Sequence, residues 1–356
     1  MKTETMQQTF FNLTAKEKGE IKMKLVDDNG KILYDAVVAK YPWIIKRDQL
    51  AILSPDSDGL LCGLLMQYLL GWKVAGFYDG KVMALKDGLK ASDCVFLDME
   101  IFRSFTRSMG QHMLMWNHRK DILRPEWAQF DNCISPNNMR LFDGNPTGKK
   151  FPRKYPLGTI HLLLGIVGSQ TRIEIRDEAI CPLLYTDGTF KNMFNYPENV
   201  LDWLSFLCAE NDQSPLYKVF FNNSYTTNKL MLALRDFFAK IKEISGSSRG
   251  GDKIVISSSQ DKRPVNFVQR GDLFDLNLEQ RQIANKFLKM LSELTGWKYD
   301  DDSWSFDGLR LSQFNKNQIK PNGRNYDAMI SQNPISWAMT SSLAIEYTTE
   351  GNTKLN

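Results

Sequence analysis

Leu53-Ser54-Pro55-Asp56-Ser57-Asp58-Gly59, with the largely apolar run Leu60–Leu70 directly behind it, is the stretch on which the reading of this chain turns. Ahead of it, Gln49–Leu53 reads as a short buried strand. Behind it, Gly59–Leu70 reads as a buried helix that stops at Gly71. Asp56 and Asp58 therefore fall at the carboxyl end of a strand, where open α/β sheets collect their ligands. Two carboxylates one residue apart repel unless a proton or a cation lies between them. A divalent ion such as Mg²⁺ or Mn²⁺ suits oxygen donors of this kind. The same pair also serves as a helix N-cap followed by a first-turn acid, worth about 1 kcal/mol. This stretch alone leaves both uses open.

Outward from it, apolar runs alternate with helix-length connectors. Trp72–Tyr78, Cys94–Asp98 and Met113–His118 read as further strands, which predicts an α/β fold built on a parallel sheet. Upstream, Ile21–Val26 and Ile32–Val38 flank Asp27-Asp28-Asn29-Gly30, a hairpin signal, so residues 1–40 are expected as an N-terminal arm with a β-hairpin. Residues 119–156 are poor in regular pattern and read as a long functional or capping loop. Leu157–Val167 and Glu198–Ala209 predict helices on either side of Tyr185-Thr186-Asp187-Gly188-Thr189-Phe190. Asp56, Asp58, Asp98, His118 and Asp187 all lie at or just past the ends of apolar segments, so they can share one rim of the sheet.

Past Glu210–Pro215 the texture changes. Lys229–Ile244 and Leu278–Leu294 are amphipathic helices, Lys253–Ser257 and Trp337–Tyr347 read as strands, and Ser245–Gly251 is a flexible loop. The division predicted is a main domain over 41–211 and a smaller α/β lobe over 216–356.

The chain has 356 residues, 42% hydrophobic, with a formal net charge of +4 that does not by itself call for nucleic acid. Its five cysteines are scattered with no CxxC, which argues for reduced core thiols in a cytoplasmic protein and against a zinc site. Met1–Gly19 has no apolar centre, so no secretory signal is expected. No apolar run reaches the length of a membrane span, so no membrane partner is expected.

Taken together, these motifs resemble the DHH phosphoesterases, a family of exonucleases, oligonucleotide and cyclic-dinucleotide phosphodiesterases and manganese pyrophosphatases. The resemblance covers about residues 49–209. Pro55-Asp56-Ser57-Asp58-Gly59 resembles the first family motif and Phe96-Leu97-Asp98 the second. Asn117-His118-Arg119 stands in the place of the Asp-His-His triplet, and Leu184–Phe190 resembles the fourth motif. The resemblance implies one ion, Mn²⁺ or Mg²⁺, on Asp58, Asp98, His118 and Asp187, with Asp56 and Asp98 left for a second. The second site is weakened because Ile52 stands where the family has a histidine. It implies catalytic roles for Asp58, Asp98, His118 and Arg119. Arg119 replaces the second His and can clamp a phosphate but cannot shuttle protons near neutral pH. The C-terminal lobe would recognise the substrate, with Arg249, Lys262 and Arg263 as phosphate contacts.

The activity so implied is hydrolysis of phosphodiester bonds in a nucleotide, an oligonucleotide or single-stranded nucleic acid. A degenerate member that binds such a ligand without cutting it is the alternative. A second alternative is a haloacid-dehalogenase-like phosphatase, which shares Asp-x-Asp-Gly and for which Gly271–Asp275 resembles a late acidic motif. His112 and His161 read as structural residues, and Lys316, Lys320, Arg324 and Tyr326 as a weak basic and aromatic patch.

Overall fold

The apolar runs build the centre of one sheet. A computed structural model describes residues 24–115, 125–140, 153–247, 251–351 and 353–355. The first six strands are β1 (Leu50–Leu53), β2 (Lys73–Tyr78), β3 (Val82–Lys86), β4 (Cys94–Leu97), β5 (Arg107–Met109) and β6 (Cys133–Ile134). Then come β7 (Phe267–Arg270), β8 (Leu273–Leu276), β9 (Leu309–Gln313), β10 (Asn315–Ile319), β11 (Ser336–Ser341) and β12 (Ala344–Thr349). A nine-stranded sheet runs β6-β5-β4-β1-β2-β3-β9-β8-β7, and β10-β12-β11 form a second, three-stranded sheet. From β6 to β2 every pairing is parallel; from β2 to β7 every pairing is antiparallel. The fold is thus α/β with a mixed sheet, parallel in one half only.

The helices are α1 (Tyr34–Lys40), α2 (Ser57–Leu70), α3 (Pro136–Met139), α4 (Thr159–Gly168), α5 (Asp177–Tyr185) and α6 (Thr189–Asn195). They continue as α7 (Pro197–Phe206), α8 (Pro215–Phe220), α9 (Thr227–Ser245), α10 (Leu278–Thr295) and α11 (Gly323–Ile330). In α2 every residue from Ser57 to Met66 is buried, as a helix apolar on all sides requires. It ends at Gly71, whose φ of 68° is left-handed. Alternate residues of the central strands part to the two faces of the sheet. Ala51, Leu53, Val95 and Leu97 pack with the residues of α2, α4 and α5, whereas Ile52, Cys94 and Phe96 pack with Tyr78, Phe314 and Ile335.

Several expectations change. The turn at Asp27–Gly30 is present, but its described arms meet only at the Val26–Ile32 bridge, and residues after Leu33 form α1. Tyr34, Val37, Val38 and Tyr41 have helical spacing and face the core, which overrides the hairpin signal. The fourth parallel strand is β5, not Met113–His118; Met113–Met115 are not strand, and His118 lies outside the described residues. Lys253–Ser257 is irregular apart from one bridge at Ser257, and Trp337–Tyr347 is a hairpin rather than one strand. Residues beyond 216 share the sheet and the core with the rest: β9 pairs with β3 along Val82–Lys86, and α9 and α10 join the cluster around α2 and α5.

The small sheet seals the β5–β6 edge through an aromatic cluster. Phe102, Phe130 and Trp337 pack together, and Tyr326 and Trp337 both donate to the carbonyl of Leu114, at 2.8 and 3.2 Å. Tyr326 is therefore a core residue and not part of an exposed patch. Among the described residues no helix is long and apolar enough to cross a membrane.

Candidate metal centre

The register of β1 against β4 places Leu53 beside Leu97, so the chain leaves both strands at one level. After β1, Asp56 caps α2, its Oδ1 accepting from the Gly59 amide at 3.4 Å. Asp58, in the first turn, is buried; its two oxygens accept the amides of Thr159 and Ile160 at 2.6 and 2.9 Å. A carboxylate here meets the positive end of α4. Gly158 makes that approach possible, because a Cβ there would stand 2.8 Å from both Asp58 Oδ2 and Thr186 Oγ1.

After β4, Asp98 turns the chain with a φ of 61°, a left-handed conformation that aspartate tolerates better than most side chains. Its Oδ1 accepts from the Thr159 hydroxyl at 2.7 Å, and its buried Oδ2 has no partner. After β5, Gly110 and Gln111 lead to His112, whose Nε2 lies 3.5 Å from Asp98 Oδ1. Glu100 fixes this turn, its Oε2 accepting the amides of His112 and Met113, each at 2.6 Å. After α5, Asp187 also has a positive φ, 48°, and its Oδ2 accepts from the Gln111 side-chain amide. One ligand atom each of Asp98, His112 and Asp187 lie within 4.8 Å of one another.

Burial and mutual repulsion disfavour these carboxylates all being charged at once, which a proton or a cation relieves. Burial raises the pKa of Asp58, and the carboxylates of Asp98 and Asp187 raise it further. Asp98 is raised by burial and then by Asp56 and Asp187. Asp187 is partly open to solvent, and the crowding around its carboxyl still raises its pKa, against the pull of His112. Burial lowers the pKa of Lys154, against the pull of Glu100, Asp187 and Asp98. The residues fit a divalent ion: two carboxylates and an imidazole converge, and one buried carboxylate oxygen has nothing else to bind.

Two cavities meet at this rim. One, of about 460 Å³, is lined by Asp56, Asp98, Glu100 and His112 on one side and by Lys81, Lys316 and the small sheet on the other. The second, of about 220 Å³, is lined by Asp56 and Asp187 with Tyr185, Phe190, Lys191 and Phe238.

Of the residues singled out from sequence, Asp56, Asp58, Asp98 and Asp187 come together here. His118, Arg119 and Arg249 lie outside the described residues. Lys262 donates to the carbonyl of Lys316, and exposed Arg263 pairs with Asp261 at 2.6 Å; neither lines these two cavities. Ile52 is fully buried in the apolar layer. Asp275, in the late acidic motif, accepts from the Gly308 amide at 2.8 Å on the antiparallel side. His112, read from sequence as structural, is the imidazole at the centre. The one signal that could have found it is its place just past the apolar-ended Arg107–Met109. Glu100, Gln111 and Thr159, which hold the cluster, carry no such signal. Comparison with protein-family models, with curated proteins and with solved structures finds no match for this chain.

Proposed function

We propose that this protein is a metal-dependent phosphoesterase that hydrolyses phosphodiester bonds in a nucleotide or single-stranded nucleic-acid substrate, on a site of the DHH type. The observation that carries the reading is the convergence of Asp98, His112 and Asp187, with one buried oxygen of Asp98 left unpartnered, at the wall of a cavity of about 460 Å³. Mn²⁺ or Mg²⁺ on Asp98, His112 and Asp187 would supply an acidified water and neutralise phosphate charge. Thr159 and Gln111 orient the two carboxylates, and Glu100 holds the turn that presents His112. Asp58, with both oxygens on backbone amides, anchors α4 rather than reaching for an ion. Asp56 is the carboxylate left for a second ion, and apolar Ile52 leaves that position poor in ligands. That poverty favours the second reading, a protein that binds such ligands without cutting them. A phosphatase with Asp56 as nucleophile leaves Asp98, His112 and Asp187 without a role. All five cysteines are free thiols, which suits a reducing compartment, and the proposal includes the cytoplasm.

The test is Mn²⁺ binding and turnover of bis-p-nitrophenyl phosphate and a short single-stranded oligonucleotide, wild type beside Asp98→Ala. Mn²⁺-dependent cleavage lost in the variant supports hydrolysis. Metal binding without turnover supports the binding protein. No metal binding by the wild type overturns the centre.

A further inference from the structure

Among the described residues, the two cavities have two wall residues in common, Asp56 and Lys253. The geometry points to Lys253 as the cation that holds the substrate's phosphate between the cavities, and to a substrate with an organic group on each side of that phosphate, a diester rather than a monoester. This rests on the phosphoesterase reading.

Lys253 is held at the divide by its neighbours. Asp252, buried, accepts from the Ser57 hydroxyl at 3.0 Å, and the amide of buried Ile254 donates to the carbonyl of Pro55 at 2.8 Å. On the far side, the amide of Val255 donates to Gln280 at 2.8 Å. The segment is thus fastened to the turn that carries Asp56, while Lys253 itself remains exposed.

Its charge is also available. Lys81 is 3.8 Å from Asp79 and Lys316 is 2.7 Å from Glu346, so the other lysines of the larger cavity already face carboxylates. No ion pair to a carboxylate is found for Lys253 among the described residues. An ammonium on the wall of the cavity that Asp98 and His112 also line can neutralise a phosphate bound there. A monoester would fill one cavity and leave the other to water. A diester places one substituent in the larger cavity and the other against the half-buried Tyr185, Phe190 and Phe238, rings on which a base can stack.

The experiment is titration of wild type, Lys253→Ala and Lys253→Arg with thymidylyl-thymidine and with thymidine monophosphate, in Mn²⁺, with hydrolysis and Mn²⁺ affinity measured in parallel. Lys253 is exposed, so both variants should fold. The dinucleotide should bind wild type at least about tenfold more tightly than the monophosphate. Lys253→Ala should weaken dinucleotide binding by about tenfold with Mn²⁺ affinity unchanged, and Lys253→Arg should restore most of it. Unchanged dinucleotide binding by Lys253→Ala overturns the assignment of Lys253, even if hydrolysis persists. Equal or tighter binding of the monophosphate overturns the two-sided substrate. Binding that depends on Lys253 without turnover leaves the inference standing and removes hydrolysis instead. Binding of neither ligand overturns both.

Discussion

The two halves of the nine-stranded sheet use their aspartates differently. In the parallel half, Asp98 follows β4 in a left-handed conformation with one buried oxygen unpartnered and other carboxylates close by. In the antiparallel half, Asp275 lies within β8, accepts from the Gly308 amide at 2.8 Å and faces Arg270 at 3.6 Å. Parallel strands deliver several chain ends to one edge, and antiparallel hairpins return the chain locally. The buried, unpartnered carboxylate oxygen of Asp98 therefore falls in the parallel half, and Asp275 in the other half is satisfied by its own neighbours.

Asp98→Asn and Asp275→Asn test this contrast most strongly. Asp98→Asn should lower metal-dependent turnover by about 10²-fold or more, yet raise the stability of the metal-free protein by about 1–2 kcal/mol, because it removes one like charge from a buried cluster. Asp275→Asn should leave turnover unchanged and lower the melting temperature slightly. Paired activity assays and thermal melts read both.

The two described histidines extend the contrast. Burial in α4 pushes the imidazole of His161 down to about 4. Its folded value lies below its unfolded one, so the unfolded state takes up protons first. The stability His161 provides is present above about pH 6.5 and is lost as pH falls toward 4, by roughly 3 kcal/mol. The raised carboxylates of the cluster act with the opposite sign, so the slope is read as the difference between wild type and His161→Phe in denaturant titrations across that window, wild type losing more stability toward pH 4.

Gly158→Ala probes the seam between α4 and Asp58. Its Cβ would come within 2.8 Å of Asp58 Oδ2, so a cost of about 1–3 kcal/mol is expected, with weaker metal binding. The smallest effect belongs to Arg263→Ala. Among the described residues the exposed side chain of Arg263 pairs only with its neighbour Asp261, so stability should change by less than about 0.5 kcal/mol and turnover not at all.

Much of the parallel half was legible in the sequence. β1 and β4 are unbroken apolar runs, β2 is buried throughout after Lys73, and α2 is bounded by the Asp56 cap and Gly71. β5 was not legible, since Arg107–Met109 is three residues long with a polar centre, and Ser108 is spent on the Ile101 amide at 3.0 Å. The sequence reading put the expected imidazole at His118, which lies outside the described residues, and missed His112, whose Nε2 is 3.5 Å from Asp98. The joining of β9 to β3 was hidden as well, because Leu309–Gln313 alternates like a half-exposed strand of a separate unit. Lys253 carries no local mark. Its place depends on the Asp252–Ser57 hydrogen bond, which joins residues 195 positions apart.

The proposed metal centre of His112, Asp98 and Asp187 separates two histidines, and Mn²⁺ affinity by titration calorimetry for wild type, His112→Ala and His118→Ala reads the difference. His112→Ala should weaken binding by about 10²-fold or more while His118→Ala binds as wild type does. Loss of binding in His118→Ala with His112→Ala unaffected would contradict that centre.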